Sequence, residues 1–391
     1  MTSLDLFLDS RRTISDVALV IPGTSPRGSD INDRGDGLPF YQGAKEFGTR
    51  HPRPERFTTR PVKTAKAGDI LLSVRAPVGR VNIADTDCAI GRGVMAVRPK
   101  DPADVDYLAA LLGSLGDSWD AHASDGTMFA NLSKTGLEAM EINWPESRHR
   151  VAEVLQAVSD GVESCTAVAT TVDEYFHGVW LATFGQLQLD GEGSLRDFCR
   201  AQYGVSASGS AERVGPRLLR VTDINKTNWV DWRNVPFCKV TDTEFKKYQL
   251  ESGDCVVARM ADPGKTAMVE VAEAAVFASY LIRIKPKTPI ANHFLFGYLK
   301  SRYFTDYTDA ASSGSVQQNI NAQTILDAPC ALPDAEELAS FEVMAKELRA
   351  PLVQAIVERN SLIDLQDFLL PRLLSGELRV SEAEKQLEEA L

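Results

Sequence analysis

The residues of this 391-residue chain that come nearest to a catalytic signature are Asp262-Pro263-Gly264-Lys265-Thr266, which end like a loop built to cradle phosphates. Such a loop needs an earlier glycine at position 259, so that backbone amides can close around the anion, and Arg259 stands there instead. Gly264 therefore reads as the corner of a hairpin turn, with Lys265 available to a phosphate. Glu244-Phe245-Lys246 has the carboxylate-x-lysine spacing that metal-dependent nucleases place beside a scissile phosphate. No acidic partner on an upstream strand accompanies it, so it reads as a solvated surface. The six cysteines form no C-x-x-C pair and the five histidines are remote from them in sequence, which argues against a zinc site or a disulfide framework. An Asn-Pro-Pro-aromatic tetrapeptide and a glycine-rich nucleotide loop are both missing. The expectation is a chain with no catalytic site, no metal and no cofactor of its own.

The elements that would position these residues form an internal repeat. Asp16 and Gly23 match Asp197 and Gly204 at an offset of 181, and Gly68-Asp69 matches Gly253-Asp254 at 185. Arg98-Pro99-Lys100 faces Lys285-Pro286-Lys287 at 187. Gly126-Thr127 with Asn131-Leu132 faces Gly314-Ser315 with Asn319-Ile320 at 188, and Pro145-Glu146 faces Pro333-Asp334 at the same offset. That period is far longer than a solenoid repeat and points to a duplicated domain. Within each copy, apolar runs separated by turn residues predict strands: 70–74, 81–83 and 94–97 in the first, 255–258 and 281–284 in the second. Helices are expected at 105–113 and 291–301. Each unit is thus α/β.

Between the copies, Val151, Leu155, Val158, Val162, Cys165, Ala169, Val172, Phe176 and Val179 alternate spacings of four and three, a heptad seam. A helix over 147–179 would be about 50 Å long, more than a small domain can enclose. Its partner is expected in 335–370, where Leu338, Phe341, Ala345, Leu348 and Leu352 keep the spacing, with a kink or break at Pro351.

The net charge of −12, taken as an average, argues against a polyanionic partner, yet it is unevenly distributed. Residues 1–100 hold 16 basic against 11 acidic residues, and 201–300 hold 14 against 10. The acid excess lies in 101–200, with 5 basic against 17 acidic, and in 301–391, with 7 against 16. Two basic blocks alternate with two acidic connectors, as two nucleic-acid-facing patches would require. The N-terminus lacks a basic-then-apolar leader and no run approaches the length of a membrane span, so a cytoplasmic location is expected.

On these residues the chain resembles the specificity subunits of type I restriction-modification systems. Gly68-Asp69-Ile70-Leu71-Leu72-Ser73-Val74-Arg75-Ala76-Pro77-Val78-Gly79, continued by Cys88-Ala89-Ile90-Gly91-Arg92-Gly93, is similar to the core of a target recognition domain. Ser313-Gly314-Ser315-Val316-Gln317-Gln318-Asn319-Ile320 is similar to a second segment of that domain, and Leu369-Leu370-Pro371-Arg372-Leu373-Leu374-Ser375-Gly376 to the close of the family's distal helix. The resemblance implies two similar target recognition domains in a pseudo-twofold arrangement, joined by two long antiparallel coiled-coil-like helices. The divisions would be 1–146, 147–185, 186–333 and 334–391. It further implies a noncatalytic subunit that reads an asymmetric bipartite site on double-stranded DNA. Its partners would be two methyltransferase subunits and restriction motor subunits, which would bring S-adenosylmethionine, ATP and Mg2+ for adenine-N6 methylation and ATP-dependent cleavage. The alternative is a protein-binding adaptor or inhibitor of a defence system that has lost DNA reading.

Under this resemblance the basic stretch Lys45, Arg50, Arg53, Arg56, Arg60 and Lys63 is expected at DNA, with Tyr41 and Gln42 reading base edges and Arg75 and Arg92 at the core motif. The second copy would use Thr222, Asp223, Asn225 and Lys226, with Lys246, Lys247, Arg259 and Lys265 as phosphate anchors. Thr127 and Ser315, with Gln317 and Gln318, sit in the polar loops before the acidic helices. Copy two replaces Arg75-Ala76-Pro77 by Met260-Ala261-Asp262 and Ile90-Gly91-Arg92-Gly93 by Phe277-Ala278-Ser279-Tyr280, so the two halves are expected to read different sequences.

Overall fold

Ile70 to Ser73 offer no polar face, and a short run of that kind must be covered on both sides. In the computed structural model, which describes residues 11–116, 132–224, 227, 229–288, 291–312 and 319–390, all four are buried at the centre of a sheet. The first strands are β1 (Ala18–Pro22), β2 (Leu38–Tyr41), β3 (Ile70–Ser73), β4 (Val81–Ile83), β5 (Cys88–Ile90) and β6 (Val94–Pro99). An antiparallel sheet runs in the order β1-β6-β3-β4. β2 pairs in parallel with β5, Tyr41 opposite Ile90, and two short strands of the basic stretch, Phe57–Thr58 and Thr64–Ala65, extend that second sheet. Helix α1 (Val105–Ser114) buries Tyr107, Leu108, Leu111 and Leu112 against the first sheet.

Helix α2 (Arg148–Asp190) then leads to a second set of strands. These are β7 (Cys199–Tyr203), β8 (Arg217–Leu219), β9 (Cys255–Ala258), β10 (Thr266–Met268), β11 (Ala275–Phe277) and β12 (Leu281–Pro286). The sheet order β7-β12-β9-β10 repeats the first, and β8 pairs in parallel with β11 as β2 does with β5. Helix α3 (Asn292–Lys300) follows in the place of α1.

The correspondence extends to single hydrogen bonds. Asp16 caps the Thr13 amide at 2.8 Å and Asp197 caps the Ser194 amide at 2.7 Å. Gly79 and Gly264 turn with φ of 85° and 89°, and their amides donate to Ser73 O and Ala258 O, both at 2.9 Å. A Cβ on Gly23 would lie 2.2 Å from Gly91 O, and one on Gly204 would lie 2.2 Å from Phe277 O, so both positions require glycine. Asp69 pairs with Arg98 at 2.7 Å, while Asp254 meets Lys285, the counterpart of Arg98, at 3.2 Å and Arg283 at 2.9 Å.

Two compact units divide the chain: unit 1 is Met1–Val162 with Ser361–Leu391, and unit 2 is Glu163–Asn360. The boundary falls inside α2 and inside α4 (Ala335–Ser375), so each unit owns a stretch of both long helices. Within unit 1, Gln366 Nε2 donates to Ser159 Oγ at 3.1 Å, and a last helix, α5 (Val380–Ala390), buries Val380 and Ala383. Within unit 2, Phe184 meets Phe341 with ring centroids 4.8 Å apart, and Asp173 meets Arg349. In unit 2 the partners ascend one helix as they descend the other, which is an antiparallel pairing.

The seam departs from strict heptads. Val151, Leu155, Val158, Cys165, Ala169 and Phe176 are buried, as are Leu338, Phe341, Ala345 and Leu352. Val162, Val172 and Leu348 are only partly covered, because a 3.6-residue turn drifts against a 3.5-residue repeat. Asp173 and Arg349, each one residue further on, take the enclosed positions. The break expected at Pro351 does not occur: α4 is a single 41-residue helix. Pro351 lies on its exposed face, where water can reach the Glu347 carbonyl that loses its amide partner.

Candidate nucleic-acid interface

The repeat brings the core motif of unit 1 to one end of its two sheets. The Gly91 amide donates to Tyr41 O at 2.8 Å and the Val74 amide to Gly93 O at 2.9 Å. Gln42, Arg75 and Arg92 therefore stand at neighbouring backbone positions, and the Arg92 amide donates to Ser25 Oγ at 3.3 Å. Gly93 passes so close to Gln42 that a Cβ would lie 2.2 Å from its carbonyl oxygen. Arg75 and Arg92 are exposed; Gln42 is half-buried and its Oε1 accepts from Arg56 at 3.3 Å.

Tyr41 requires a correction. Its ring is 1% exposed in the core of unit 1, and burial pushes its phenol well above the usual range, so it holds the sheet and does not read a base edge. The basic stretch divides in two. Lys45 is tied to Glu55 at 2.8 Å, Arg50 to Asp106 at 2.6 Å, and Arg56 to Glu46 at 3.0 Å while its guanidinium lies 5.6 Å from the Phe40 ring centre. Arg53, Arg60 and Lys63 are exposed and meet no carboxylate among the described residues.

In unit 2 the Ala278 amide donates to Leu219 O at 2.9 Å and the Arg259 amide to Tyr280 O at 3.0 Å, reproducing the strand end of unit 1. Arg220 occupies the place of Gln42. Asp223 is the second correction: its carboxylate accepts from the Arg220 amide at 2.9 Å and from the Arg220 guanidinium at 2.9 and 3.0 Å, so it orients that arginine and is not free to accept from a base. Thr222 is exposed beside it. Lys246 and Lys247 are exposed on the short helix Asp242–Tyr248, and Arg259 lies 5.2 Å from the Tyr203 ring centre. Glu244, weighed above as a metal ligand, caps the same helix by accepting from the Thr241 amide at 2.9 Å, which holds its carboxyl below the usual range. Lys265 follows the turn at Gly264 and is half-exposed. Thr127, Asn225, Lys226, Ser315, Gln317 and Gln318 lie outside the described residues.

One residue escaped the sequence reading. Arg80 is exposed and follows Gly79 as Lys265 follows Gly264, so both units place a cation after the same turn. The offset of 185 would have found it.

The two α/β units thus place a cation, Arg80 or Lys265, after equivalent turns. Residues 11–168 match the family model described as the type I restriction modification DNA specificity domain. Over 147 residues the chain is 37% identical to a putative type I restriction enzyme MjaX specificity subunit of Methanocaldococcus jannaschii, covering 37% of this chain and 34% of that one. It is 22% identical over 342 residues to the type I restriction enzyme MjaIX specificity subunit of the same organism, covering 81% and 78%. The chain thus spans about a third of the first relative's length and about three quarters of the second's. The solved type I restriction-modification system S subunit from M. genitalium shares the fold, with a TM-score of 0.55 at 17% identity over 93% of this chain and 95% of that one. Residues 11–168 thus carry a type I restriction modification DNA specificity domain, and the rest of the chain shares the fold of a solved S subunit. No helix among the described residues is long and apolar enough to cross a membrane.

Proposed function

We propose that this chain reads the two halves of an asymmetric bipartite DNA site, one with each unit, and holds two methyltransferase subunits over the target adenines. What carries the reading is the duplicated frame with unlike tips: the turns, buried ion pairs and glycine contacts recur, while Arg75 and Arg92 give way to Met260 and Ser279. A shared frame can present two surfaces to two half-sites, and differing tips make the half-sites differ. The chain supplies no chemistry of its own. S-adenosylmethionine belongs to the methyltransferase subunits, which flip the adenine out of the duplex, and ATP and Mg2+ to the restriction motor.

Mapping N6-methyladenine in a host that expresses the chain with its methyltransferase tests this. The expected result is one motif of two different half-sites with a constant gap. Methylation that persists unchanged without this chain would sink the proposal in favour of an adaptor role.

A further inference from the structure

The strand end at the tip of each unit differs in chemistry while its backbone does not. In unit 1, Ser73 pairs with Val94, and the Val74 amide donates to Gly93 O, so one residue further on Arg75 comes opposite Arg92. Both are exposed and neither meets a carboxylate among the described residues. Like charges set opposite one another across two strands cost stability, so the arrangement suits an electron-rich ligand lying over the pair. In unit 2, Ala258 pairs with Leu281 and the Arg259 amide donates to Tyr280 O, which sets Met260 opposite Ser279. Tyr280 is 56% exposed and Arg220 is folded onto Asp223. Met260, Tyr280, Ala261 and Ala278 help line a mainly apolar cleft of about 780 Å³.

We propose that this strand end sets the base class each unit reads: Arg75 and Arg92 select guanine in the half-site of unit 1, and Met260 with Tyr280 selects the thymine methyl in that of unit 2. This assignment rests on the bipartite reading proposed above. Guanine shows two acceptors, N7 and O6, in the major groove, matching the two-pronged donor of arginine, whereas thymine shows a single acceptor beside a methyl group that an apolar surface covers. A phosphate contact does not account for the pair. Phosphates are common to every sequence, and the cation suited to them, Arg80 or Lys265, is kept in both units, while the pair at 75 and 92 is not.

The test selects duplexes from a randomised pool with the full chain bound to its methyltransferase. Wild type is compared with the double variants Arg75→Ala with Arg92→Ala and Met260→Ala with Tyr280→Ala, and a urea melt of each verifies its fold. Wild type is expected to return a motif with an invariant G·C pair in one half and an invariant A·T pair in the other. The arginine variant loses discrimination on the order of ten- to a hundred-fold at the G·C position and keeps the other half intact, and the Met260/Tyr280 variant does the converse. A motif without G·C in either half overturns the assignment but leaves bipartite reading standing. So does an arginine variant whose affinity falls equally for every duplex, or a Met260/Tyr280 variant that selects the wild-type motif. A pool with no motif overturns both.

Discussion

Arg349 Nη1 donates to Asp173 Oδ1 at 2.9 Å with both side chains almost wholly enclosed between α2 and α4. The guanidinium also pairs with Glu270, on the segment between β10 and β11, and lies 4.6 Å from the ring centre of Phe176 and 4.9 Å from that of Phe296. One cation thus ties both long helices to the sheet of unit 2. Burial raises the Glu270 carboxyl, against the pull of Arg349.

Removing only the cation takes the neutralising charge from two enclosed carboxylates. Arg349→Leu is expected to destabilise unit 2 by about 3–5 kcal/mol in urea denaturation. The triple variant with Asp173→Leu and Glu270→Leu should recover much of that loss. Equal loss in both would mean that the charges are not the cause.

His177, one turn from Asp173, is partly buried against Phe296, and that burial pushes its imidazole down to about 4 while Asp173 pulls it up and Lys300 and Arg349 pull it further down. In the unfolded chain the group titrates near 6.5, so the unfolded state binds the extra proton first as pH falls. Its contribution is complete above about pH 6.5 and is lost progressively toward pH 4, amounting to about 3 kcal/mol across that window. Denaturation at pH 7.5 and pH 5 should show a larger loss for wild type than for His177→Gln. An identical loss assigns the pH dependence to other groups.

Gly297 in α3 lies against the Trp180 indole, whose Nε1 donates to Phe294 O at 3.0 Å. A Cβ there would fall 2.1 Å from the indole, so Gly297→Ala must displace an enclosed aromatic cluster and is expected to cost about 1–3 kcal/mol. Urea melts followed by tryptophan fluorescence provide the measurement. A stability within 0.5 kcal/mol or so of wild type would show that the cluster can shift freely.

Arg80→Ala and Lys265→Ala are each expected to weaken DNA binding across all sequences. Each should lower the slope of log affinity against log salt by about 0.9 while leaving the selected motif unchanged. A salt titration of the assembled complex decides this, and an altered motif would move either residue from phosphate to base.

The strand runs and the turns at Gly79 and Gly264 were legible because each depends on neighbouring residues alone, and the repeat because both copies keep like residues in the same order. Tyr41 was not, since an exposed tip and a covered one have the same residue pattern when a second sheet supplies the cover. Heptad spacing assigned Val172 and Leu348 to the seam, one position short of Asp173 and Arg349. Two polar residues 176 positions apart give no local sign that they complete each other. Pro351 was judged by its backbone chemistry, and the solvent on its side of the helix decided otherwise.

The division of the long helices between the units also orders their assembly during synthesis. Unit 2 has all of its chain once Asn360 has left the ribosome, and it can close there and then. Unit 1 lacks its stretch of α4 and all of α5 until Ser361–Leu391 emerge, so the half that begins first is the half that finishes last. Until then Ser159 lacks its partner Gln366, and the stretch of α2 in unit 1 waits for the helix it pairs with.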